Sequence, residues 1–310
     1  MQETLTLLPN HHHPTMPRNF LLILLLLTSC TTPKTNDMPA TFDWQGHRGA
    51  RGLAPENSIP AFLKALEYPA IQTLELDVAV SADSQLVISH EPWFSAAISS
   101  HPDGRPVSEA EAESLNLHRM SYAEIERYDC GLRGHPRFPE QQKQAVSKPL
   151  FSAMVAAVET YCQNNRRPLP RYNIEIKSQP EWDSLYTPSP EVFAELVLVE
   201  VNKLGIRERS CIQSFDKRAL QATHRLDPTI VTALLIEDLG SVAEQLAELG
   251  YTPHTYSPHY KMVTAHLVQT VHQANMRIIP WTVNETSTMQ SLMELGVDGI
   301  ITDYPDRVVR

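Results

Sequence analysis

The chain has 310 residues and a formal net charge of −10, with 42% hydrophobic and 20% charged residues. This composition supplies enough apolar material for a sizeable core and excludes a largely disordered chain. An acidic protein repels polyanions, so we expect no nucleic-acid partner. A chain of this length forms one large domain or two ordinary ones.

The first 30 residues are typical of a bacterial signal peptide rather than of a folded domain. Arg18 precedes an apolar run at 20–27, which is too short for a membrane span because a span needs about 20 residues. The sequence LTSC that ends at Cys30 resembles the lipobox of bacterial lipoproteins, and we expect Cys30 to be the lipidated N-terminus. The alternative is a plain secretory signal with a chance cysteine. Met16 is a second candidate for the start of this signal.

Residues 31–41 are polar and contain proline, which predicts a flexible tether in front of a domain at 42–310. The residue after the lipidated cysteine is Thr31 rather than Asp, which suits the outer membrane. We therefore expect an exported lipoprotein, attached to the membrane through its lipid anchor, at the outer membrane or on the periplasmic face.

Three further cysteines occur in the chain: Cys130, Cys162 and Cys211. None belongs to a CxxC pair, so they indicate neither a zinc site nor a disulfide framework. An exported protein permits at most one bridge among them, and the sequence does not select the pair.

From residue 42 onward, short apolar strands alternate with helical segments. Strands are predicted at Asp43–Gly46, Thr73–Val80, Tyr172–Lys177, Cys211–Ser214, Ile230–Leu235, Thr252–Ser257, Arg277–Val283 and Val297–Thr302. Helices are predicted at Ile59–Leu66, Leu150–Gln163, Glu191–Leu204, Lys217–Arg225, Val242–Leu249, Thr264–Ala274 and Thr286–Leu295. This alternation predicts a (β/α)8 TIM barrel, whose typical length of about 250 residues the domain approaches. The alternative is a doubly wound open sheet, but no glycine-rich phosphate loop follows a predicted strand.

Residues 91–148 interrupt the alternation after a predicted hairpin strand at Leu86–His90. The segment is rich in proline, serine, charged and aromatic residues, and loops this long inside a domain are usually functional or disordered. The βα loops of a barrel lie on its catalytic face. We therefore expect this insertion after the second strand to form part of the pocket wall.

Several predicted strands carry polar residues where buried parallel strands are normally apolar. Glu75 and Asp77 share one face of the second strand, and Glu175 and Lys177 share one face of the third. Other strands carry a polar or aromatic residue near their carboxyl ends: His47, Gln213 and Trp281. In a barrel these ends converge on one mouth, which favours a single site over unrelated solvated positions.

Three carboxylates at one point, those of Glu75, Asp77 and Glu175, repel one another unless a cation lies among them. Oxygen ligands without cysteine or paired histidines favour a hard ion, Mg²⁺ or Ca²⁺. Such an ion binds a phosphoryl oxygen, and we expect Arg48 and Lys177 to hold the other oxygens of a phosphate ester.

Two histidines near the strand ends, His47 and His90, are candidates for proton transfer near neutral pH. Ester cleavage needs one group to activate the nucleophile and another to protonate the leaving oxygen. Taken singly, each of the 13 histidines is more often structural, and only their placement selects these two.

These residues lie in motifs that resemble the glycerophosphodiester phosphodiesterase family. The motifs cover about residues 42 to 305 in the family's order: His47-Arg48-Gly49, Pro55-Glu56-Asn57-Ser58, Glu75-x-Asp77, His90, Glu175-x-Lys177, Gln213-Ser214-Phe215-Asp216, Trp281-Thr282-Val283-Asn284 and Gly299-Ile300-Ile301-Thr302-Asp303-Tyr304-Pro305. The resemblance implies a (β/α)8 barrel that uses Mg²⁺ or Ca²⁺ to hydrolyse glycerophosphodiesters to glycerol 3-phosphate and an alcohol.

The resemblance also implies a role for each site residue. It implies metal ligation by Glu75, Asp77 and Glu175, acid–base catalysis by His47 and His90, phosphate binding by Arg48 and Lys177, a metal-site or positioning role for Glu56, and a pocket lined by Gln213, Phe215 and Trp281. One departure is Glu91, where the family usually has Asp. The insertion, a familiar feature of the family, is implied to shape the substrate pocket.

Two alternative functions remain open. One is a lysophospholipase D or sphingomyelinase-D-like activity, which uses related barrels with a longer apolar pocket. The other is a binding lipoprotein that kept the fold and lost the chemistry, although such a protein would show gaps among the polar positions and this chain shows none. The expected partners are a small glycerophosphodiester and the membrane, and no protein partner is indicated.

Overall fold

Eight parallel strands surround the centre of the protein in a computed structural model, which describes residues 42–238 and 240–309. The strands of this part of the chain, including one antiparallel hairpin strand (β3), are Asp43–Gly46 (β1), Ile71–Val80 (β2), Leu86–Ile88 (β3), Arg171–Ile176 (β4), Ser210–Ser214 (β5), Val231–Ile236 (β6), Thr255–Pro258 (β7), Arg277–Ile278 (β8) and Gly299–Thr302 (β9). The predicted signal peptide, the lipidation site Cys30 and the tether 31–41 lie outside the described residues.

The parallel strands are paired in the order β8-β7-β6-β5-β4-β2-β1-β9. Backbone hydrogen bonds then join the two ends of this series, from Asp298 N to Ile278 O at 2.9 Å and from Ile301 N to Pro280 O at 3.0 Å. The strands therefore form a nearly closed barrel, and the predicted (β/α)8 architecture is confirmed.

The seventh barrel strand is shorter than predicted, because regular pairing ends at Ile278 rather than at Val283. Pro280 has no N–H group and cannot donate to the neighbouring strand. The chain nevertheless stays close to its neighbour, since Trp281 N donates to Pro258 O at 3.1 Å. The predicted length was wrong, but the segment still delivers Trp281 to the same end of the barrel.

Helices follow the strands in the predicted alternation. Those of the described ranges are Ile59–Leu66 (α1), Tyr122–Ile125 (α2), Phe151–Asn164 (α3), Pro190–Lys203 (α4), Lys217–Leu226 (α5), Val242–Leu249 (α6), Ala265–Gln273 (α7) and Thr286–Glu294 (α8). Ser58 caps α1 by accepting a bond from Ala61 N at 3.3 Å, which fixes the loop before this helix. Among the helices described, none has the length and apolar character needed to cross a membrane.

The segment between β3 and α3 contains the short helix α2 and packs around a small core of its own. Phe94, Leu117 and Ile125 are fully buried there against Val87 of the hairpin strand. Apart from α2 and two short 3₁₀ helices at Ala112–Ser114 and Leu117–Arg119, this segment consists of turns and irregular loops, which composition alone could not predict in detail. The three cysteines Cys130, Cys162 and Cys211 are free and buried.

Candidate active site

The carboxylates of Glu75, Asp77 and Glu175 meet toward the carboxyl ends of β2 and β4. These strands are paired so that Asp77 lies opposite Glu175, and the two-residue period of a strand places Glu75 on the same face. Each residue is at most 6% exposed. One carboxylate oxygen from each lies within 4.8 Å of the others. A single strand pair thus assembles the predicted ligand cluster.

Burial and mutual repulsion disfavour three negative charges in this cluster. Burial raises the pKa of Glu75 well above its ordinary value, and Asp77 and Glu175 raise it further. Burial also raises the pKa of Glu175 to about 7, although Lys177 opposes this effect. For Asp77, burial favours the protonated form, but the guanidinium of Arg48 outweighs it and the pKa is lowered. A bound cation would stabilise the ionised form of all three groups.

A hard divalent cation fits these residues. Oδ1 of Asp77 is buried without a hydrogen-bond partner among the described residues, whereas Oδ2 accepts a bond from Asn57 Nδ2 at 2.8 Å. Buried polar atoms normally have a partner, so Oδ1 is available as a metal ligand. Carboxylate oxygens are also the ligands that Mg²⁺ and Ca²⁺ prefer.

His47 follows β1 and is held by a carboxylate from the last strand. Its Nδ1 lies 2.6 Å from Oδ1 of Asp303, which also accepts a bond from Arg51 Nε at 2.8 Å. Nε2 of His47 lies on the triad side, 4.0 Å from Oε2 of Glu75. Burial and the nearby Arg51 lower the pKa of His47 to about 4, against the opposing influence of Asp303. The imidazole is therefore neutral at neutral pH and able to accept a proton.

Arg48 is surrounded by carboxylates. Its backbone N–H donates to Glu75 Oε2 at 2.9 Å, its Nη1 donates to Glu56 Oε1 at 2.8 Å, and its Nε lies 3.2 Å from Asp77 Oδ2. Burial alone would lower the pKa of Arg48, but Glu56 and Asp77 raise it above the ordinary value. Glu56 thus lies beside the triad as a partner of Arg48, which favours the positioning role over metal ligation.

The loop after β1 needs an unusual backbone. Arg48 and Gly49 have φ values of 49° and 81°, in the left-handed region that non-glycine residues rarely adopt. A Cβ atom at Gly49 would lie 2.5 Å from the carbonyl carbon of Ala61, so only glycine lets α1 approach this closely. The local strain is of the kind that proteins maintain at functional sites.

Lys177 lies between the triad and the second histidine. Its Nζ is 3.0 Å from Oε1 of Glu175 and 3.2 Å from Nε2 of His90. Nδ1 of His90 lies 2.8 Å from Oε1 of Glu91, so the departure from Asp at this position retains a carboxylate for the histidine. Burial, with Arg48 and Lys177, lowers the pKa of His90.

A cavity of about 520 Å³ connects these groups and has an aromatic wall. The rings of Phe215 and Trp281 are 5.3 Å apart and nearly perpendicular, and the ring of His259 lies 5.3 Å from Trp281. Arg137 from the insertion lines the same cavity. The structure therefore brings both predicted aromatic residues to the site.

Gln213, predicted as a pocket residue, also holds a member of the triad. Its Nε2 donates to Oε1 of Glu75 at 2.7 Å, and its Oε1 accepts a bond from Asn173 Nδ2 at 2.9 Å. Gln213 therefore orients Glu75 from strand β5, across the intervening strand β4.

Comparison with known proteins identifies the family. The model of the glycerophosphoryl diester phosphodiesterase family matches residues 47–307, a range that includes every residue of the site described above. The chain belongs to this family. This phosphodiesterase is therefore a phosphoric diester hydrolase by class.

Similar proteins include both named sequences and solved structures. A glycerophosphodiester phosphodiesterase of Bacillus altitudinis is 29% identical over 273 residues, which are 85% of this chain and 95% of the relative. A structure from Silicibacter pomeroyi DSS-3, provisionally described as a glycerophosphoryl diester phosphodiesterase, is 28% identical with a TM-score of 0.77 and covers 87% of this chain and 92% of its own. An Oleispira antarctica phosphodiesterase, solved with the product sn-glycerol-3-phosphate, is 20% identical with a TM-score of 0.66 and covers 86% and 94%. The Oleispira structure supports the barrel fold of this chain.

Three residues that directly hold Asp77 or His47 had no role in the sequence prediction. Asn57 contacts Asp77, and Asp303 and Arg51 orient His47. Asn57 and Asp303 lie within motifs that resemble the family, so those motifs held a signal for them. Arg51 lies outside the motifs, and only the folded loop shows its contact with Asp303.

Proposed function

We propose that this phosphodiesterase hydrolyses glycerophosphodiesters to glycerol 3-phosphate and an alcohol, and that it requires Mg²⁺ or Ca²⁺. The supporting observation is that one cavity is lined by both histidines, by Glu75 and Glu175 of the triad, and by the cationic side chains of Arg48 and Lys177. Asp77 completes the triad beside this cavity. The Oleispira relative was solved with sn-glycerol-3-phosphate, which supports a small glycerophosphate ligand for the family's fold.

Substrate binding depends on the charges around the triad. Glu75, Asp77 and Glu175 would hold the cation, which when bound supplies charge stabilisation to a phosphoryl oxygen. Arg48 and Lys177 contact the triad at 3.2 Å and 3.0 Å and can donate to the remaining oxygens of the phosphate. Because these donors are held by carboxylates before substrate arrives, little reorganisation is needed in the transition state.

His47 and His90 carry the two proton transfers. With its Nδ1–H donated to Asp303, His47 presents the lone pair of Nε2 toward the cavity. His90 is held at Nδ1 by Glu91 and presents Nε2 beside Lys177. A bond from the nucleophile to phosphorus forms as the bond from phosphorus to the alcohol oxygen breaks. One histidine takes the proton of the nucleophile, and the other protonates the leaving oxygen. The nucleophile is water or the glycerol 2-hydroxyl, and the latter gives a cyclic ester that water then opens.

Product release from two substrates tests the proposal against its alternatives. The purified protein is freed of metal with a chelator, then assayed with added Mg²⁺ or Ca²⁺ on glycerophosphocholine and lysophosphatidylcholine. We expect metal-dependent release of choline and glycerol 3-phosphate from the first substrate. Preferential turnover of the second would support the lysophospholipase D alternative, and turnover of neither would support a binding lipoprotein.

We also propose that the protein is exported and anchored to the membrane through a lipid on Cys30, on the outer membrane or the periplasmic face. The proposal is supported by the lipobox-like sequence before Cys30. Stable anchoring needs more than one acyl chain, as lipoproteins carry. In the native host, Cys30→Ser should move the protein into the soluble fraction while Thr31→Ser leaves it with the membranes. A Cys30→Ser variant that stays with the membranes would refute lipidation at this residue.

A further inference from the structure

Lys148 is buried beneath the loop that carries His90. It lies at the end of the insertion, directly before Pro149, and is 6% exposed. Its Nζ donates to Oγ of Ser89 at 2.7 Å and lies 5.5 Å from the centre of the Phe94 ring. Among the described residues, its hydrogen-bond acceptor is a neutral hydroxyl rather than a carboxylate. Burial of an ammonium group is costly when it lacks a close counter-ion, so a structural role alone would be better served by an apolar residue.

The hydroxyl that Lys148 contacts organises the chain on both sides of His90. Ser89 Oγ donates to the backbone oxygen of Glu91 at 2.5 Å, which closes a tight turn around the histidine. The backbone N–H of Ser89 also donates to Asp77 O at 3.0 Å, so this turn is attached to the strand that carries the triad. Lys148 therefore fixes the orientation of Ser89, and through it the turn that holds His90.

Lys148 also acts on the carboxylate that holds His90. Burial alone would raise the pKa of Glu91, but the hydrogen bond from His90, with the charges of Arg48 and Lys148, lowers it to about 2. Glu91 therefore stays ionised and remains an acceptor for Nδ1 of His90 at 2.8 Å. The charge of Lys148 acts through Glu91 and its hydrogen bond acts through Ser89, and both hold the imidazole of His90 in the same orientation.

We infer that Lys148 is a positioning residue for His90, connecting the insertion to proton transfer at the active site. This inference rests on the proposed function, because the turnover of a glycerophosphodiester is its readout. Lys148 contacts neither the cavity nor the triad, so it acts through Ser89 and Glu91 rather than on the substrate.

The first test compares Lys148→Met with Lys143→Met, a substitution of an exposed lysine in the same segment. Both are assayed on glycerophosphocholine with saturating metal. Because supporting residues around a metal site typically change activity by about 10–100-fold, we expect kcat of Lys148→Met to fall by about that factor. We expect KM to change little, since the phosphate ligands are untouched. A kcat within about twofold of the wild-type value would overturn the inference.

A double-mutant cycle separates positioning of His90 from general destabilisation. If Lys148 acts through His90, then adding Lys148→Met to His90→Ala should change kcat by less than about twofold. Equal losses in both backgrounds would show that Lys148 acts independently of His90, and would overturn the inference. If circular dichroism shows that Lys148→Met does not fold, Ser89→Ala replaces it in the double-mutant cycle and leaves Lys148 in place.

The controls distinguish this inference from the proposed function. Wild-type protein and Lys143→Met must turn over glycerophosphocholine if the proposed function is correct, whatever the role of Lys148. If both the wild-type protein and Lys143→Met were inactive, the proposed function would be refuted. The role of Lys148 would then fall as well, because there would be no reaction in which His90 takes part. Activity of both, with additive losses in the cycle, would refute only the role of Lys148.

Discussion

Nδ1 of His47 and Oδ1 of Asp303 lie 2.6 Å apart, although 256 positions separate the two residues in the chain. Strands β1 and β9 are paired in parallel with Gly46 opposite Thr302, so the residue after each strand emerges at the same edge of the barrel. Closing the barrel therefore assembles the pair. The orientation of His47 depends on the last strand as much as on the first.

Replacing Asp303 by Asn should reduce turnover without abolishing folding. The amide can donate a hydrogen bond to Nδ1, which favours the wrong tautomer of His47 and removes the lone pair from Nε2. We expect kcat on glycerophosphocholine to fall by at least about 10–100-fold, with a much smaller change in KM. NMR of the imidazole nitrogens, together with steady-state kinetics, measures both the tautomer and its consequence.

Asp306→Asn is the matched control, since this carboxylate lies three positions later and is exposed. It should leave kcat and the tautomer of His47 unchanged. Turnover by Asp303→Asn within about twofold of the control would contradict the role of Asp303.

Loss of one triad carboxylate should weaken the stabilisation of the protein by metal. A ligand that binds only the folded state raises its stability, so Mg²⁺ or Ca²⁺ should raise the Tm of the metal-free protein. Glu75→Gln replaces a ligand oxygen and lowers the charge of the site. We therefore expect that the metal concentration giving half of the maximal increase in Tm is at least about 10-fold higher for Glu75→Gln than for the wild-type protein. We expect both the wild-type protein and Glu75→Gln to lose activity in chelator.

Differential scanning fluorimetry across a metal titration measures this response independently of activity. Glu67→Gln, at an exposed carboxylate after α1, should respond to metal as the wild-type protein does. An unchanged titration curve for Glu75→Gln, or full activity in excess chelator, would refute metal ligation by the triad.

The triad could be predicted because local sequence determines it. Glu75 and Asp77 alternate along one strand, and Glu175 occupies the equivalent position on the neighbouring strand, so the two-residue period was sufficient. His47 was similarly placed by its position directly after a strand. The positions of these residues in the barrel depend on the direction and order of the strands, and the alternation of strands and helices already indicates both.

The contacts that support the histidines could not be predicted in the same way. Arg51 reaches Asp303 from a strained loop, and Lys148 reaches Ser89 from an insertion that lacks a regular hydrophobic period. Such contacts depend on how irregular segments pack, and periodicity carries no information about that packing. The shortened strand β8 has a simpler cause, because Pro280 ends the regular hydrogen bonding that the apolar run suggested.

Alkaline pH should destabilise the barrel through buried tyrosines. Burial, with a smaller effect of Asp238, raises the pKa of Tyr256 to about 12, and burial also raises the pKa of Tyr251 to about 12. An unfolded tyrosine ionises near pH 10. Since the folded pKa is higher, this stabilisation is fully present below about pH 10 and is lost as the pH rises toward about 12.

Urea unfolding of the metal-free protein at several pH values between about 8 and 11 measures this loss. Tyr256→Phe removes one titrating group and should flatten the fall in stability above about pH 10. Tyr161→Phe, at a partly exposed tyrosine on α3, serves as the control. Identical pH profiles for Tyr256→Phe and the wild-type protein would contradict the assignment.

His47→Ala and His90→Ala should each lower kcat while the protein still folds and binds metal. General acid–base groups typically contribute about 10²–10⁴-fold each, so a loss of that size is expected for either variant on glycerophosphocholine. His266→Ala, at an exposed histidine on α7, should have no effect. The response of Tm to metal serves as the check on folding and on the triad.

A change of leaving group then divides the two roles. Hydrolysis by in-line displacement places nucleophile and leaving oxygen on opposite sides of the phosphorus, so one imidazole cannot readily serve both. A p-nitrophenyl ester needs no proton on its leaving group, and it should restore activity to the variant that lacks the general acid. The other variant should stay impaired on both substrates, because its nucleophile still has to lose a proton. Near-normal turnover of the natural diester by His90→Ala would instead transfer the second role to Glu56 or Glu91, which both carry carboxylates beside the site.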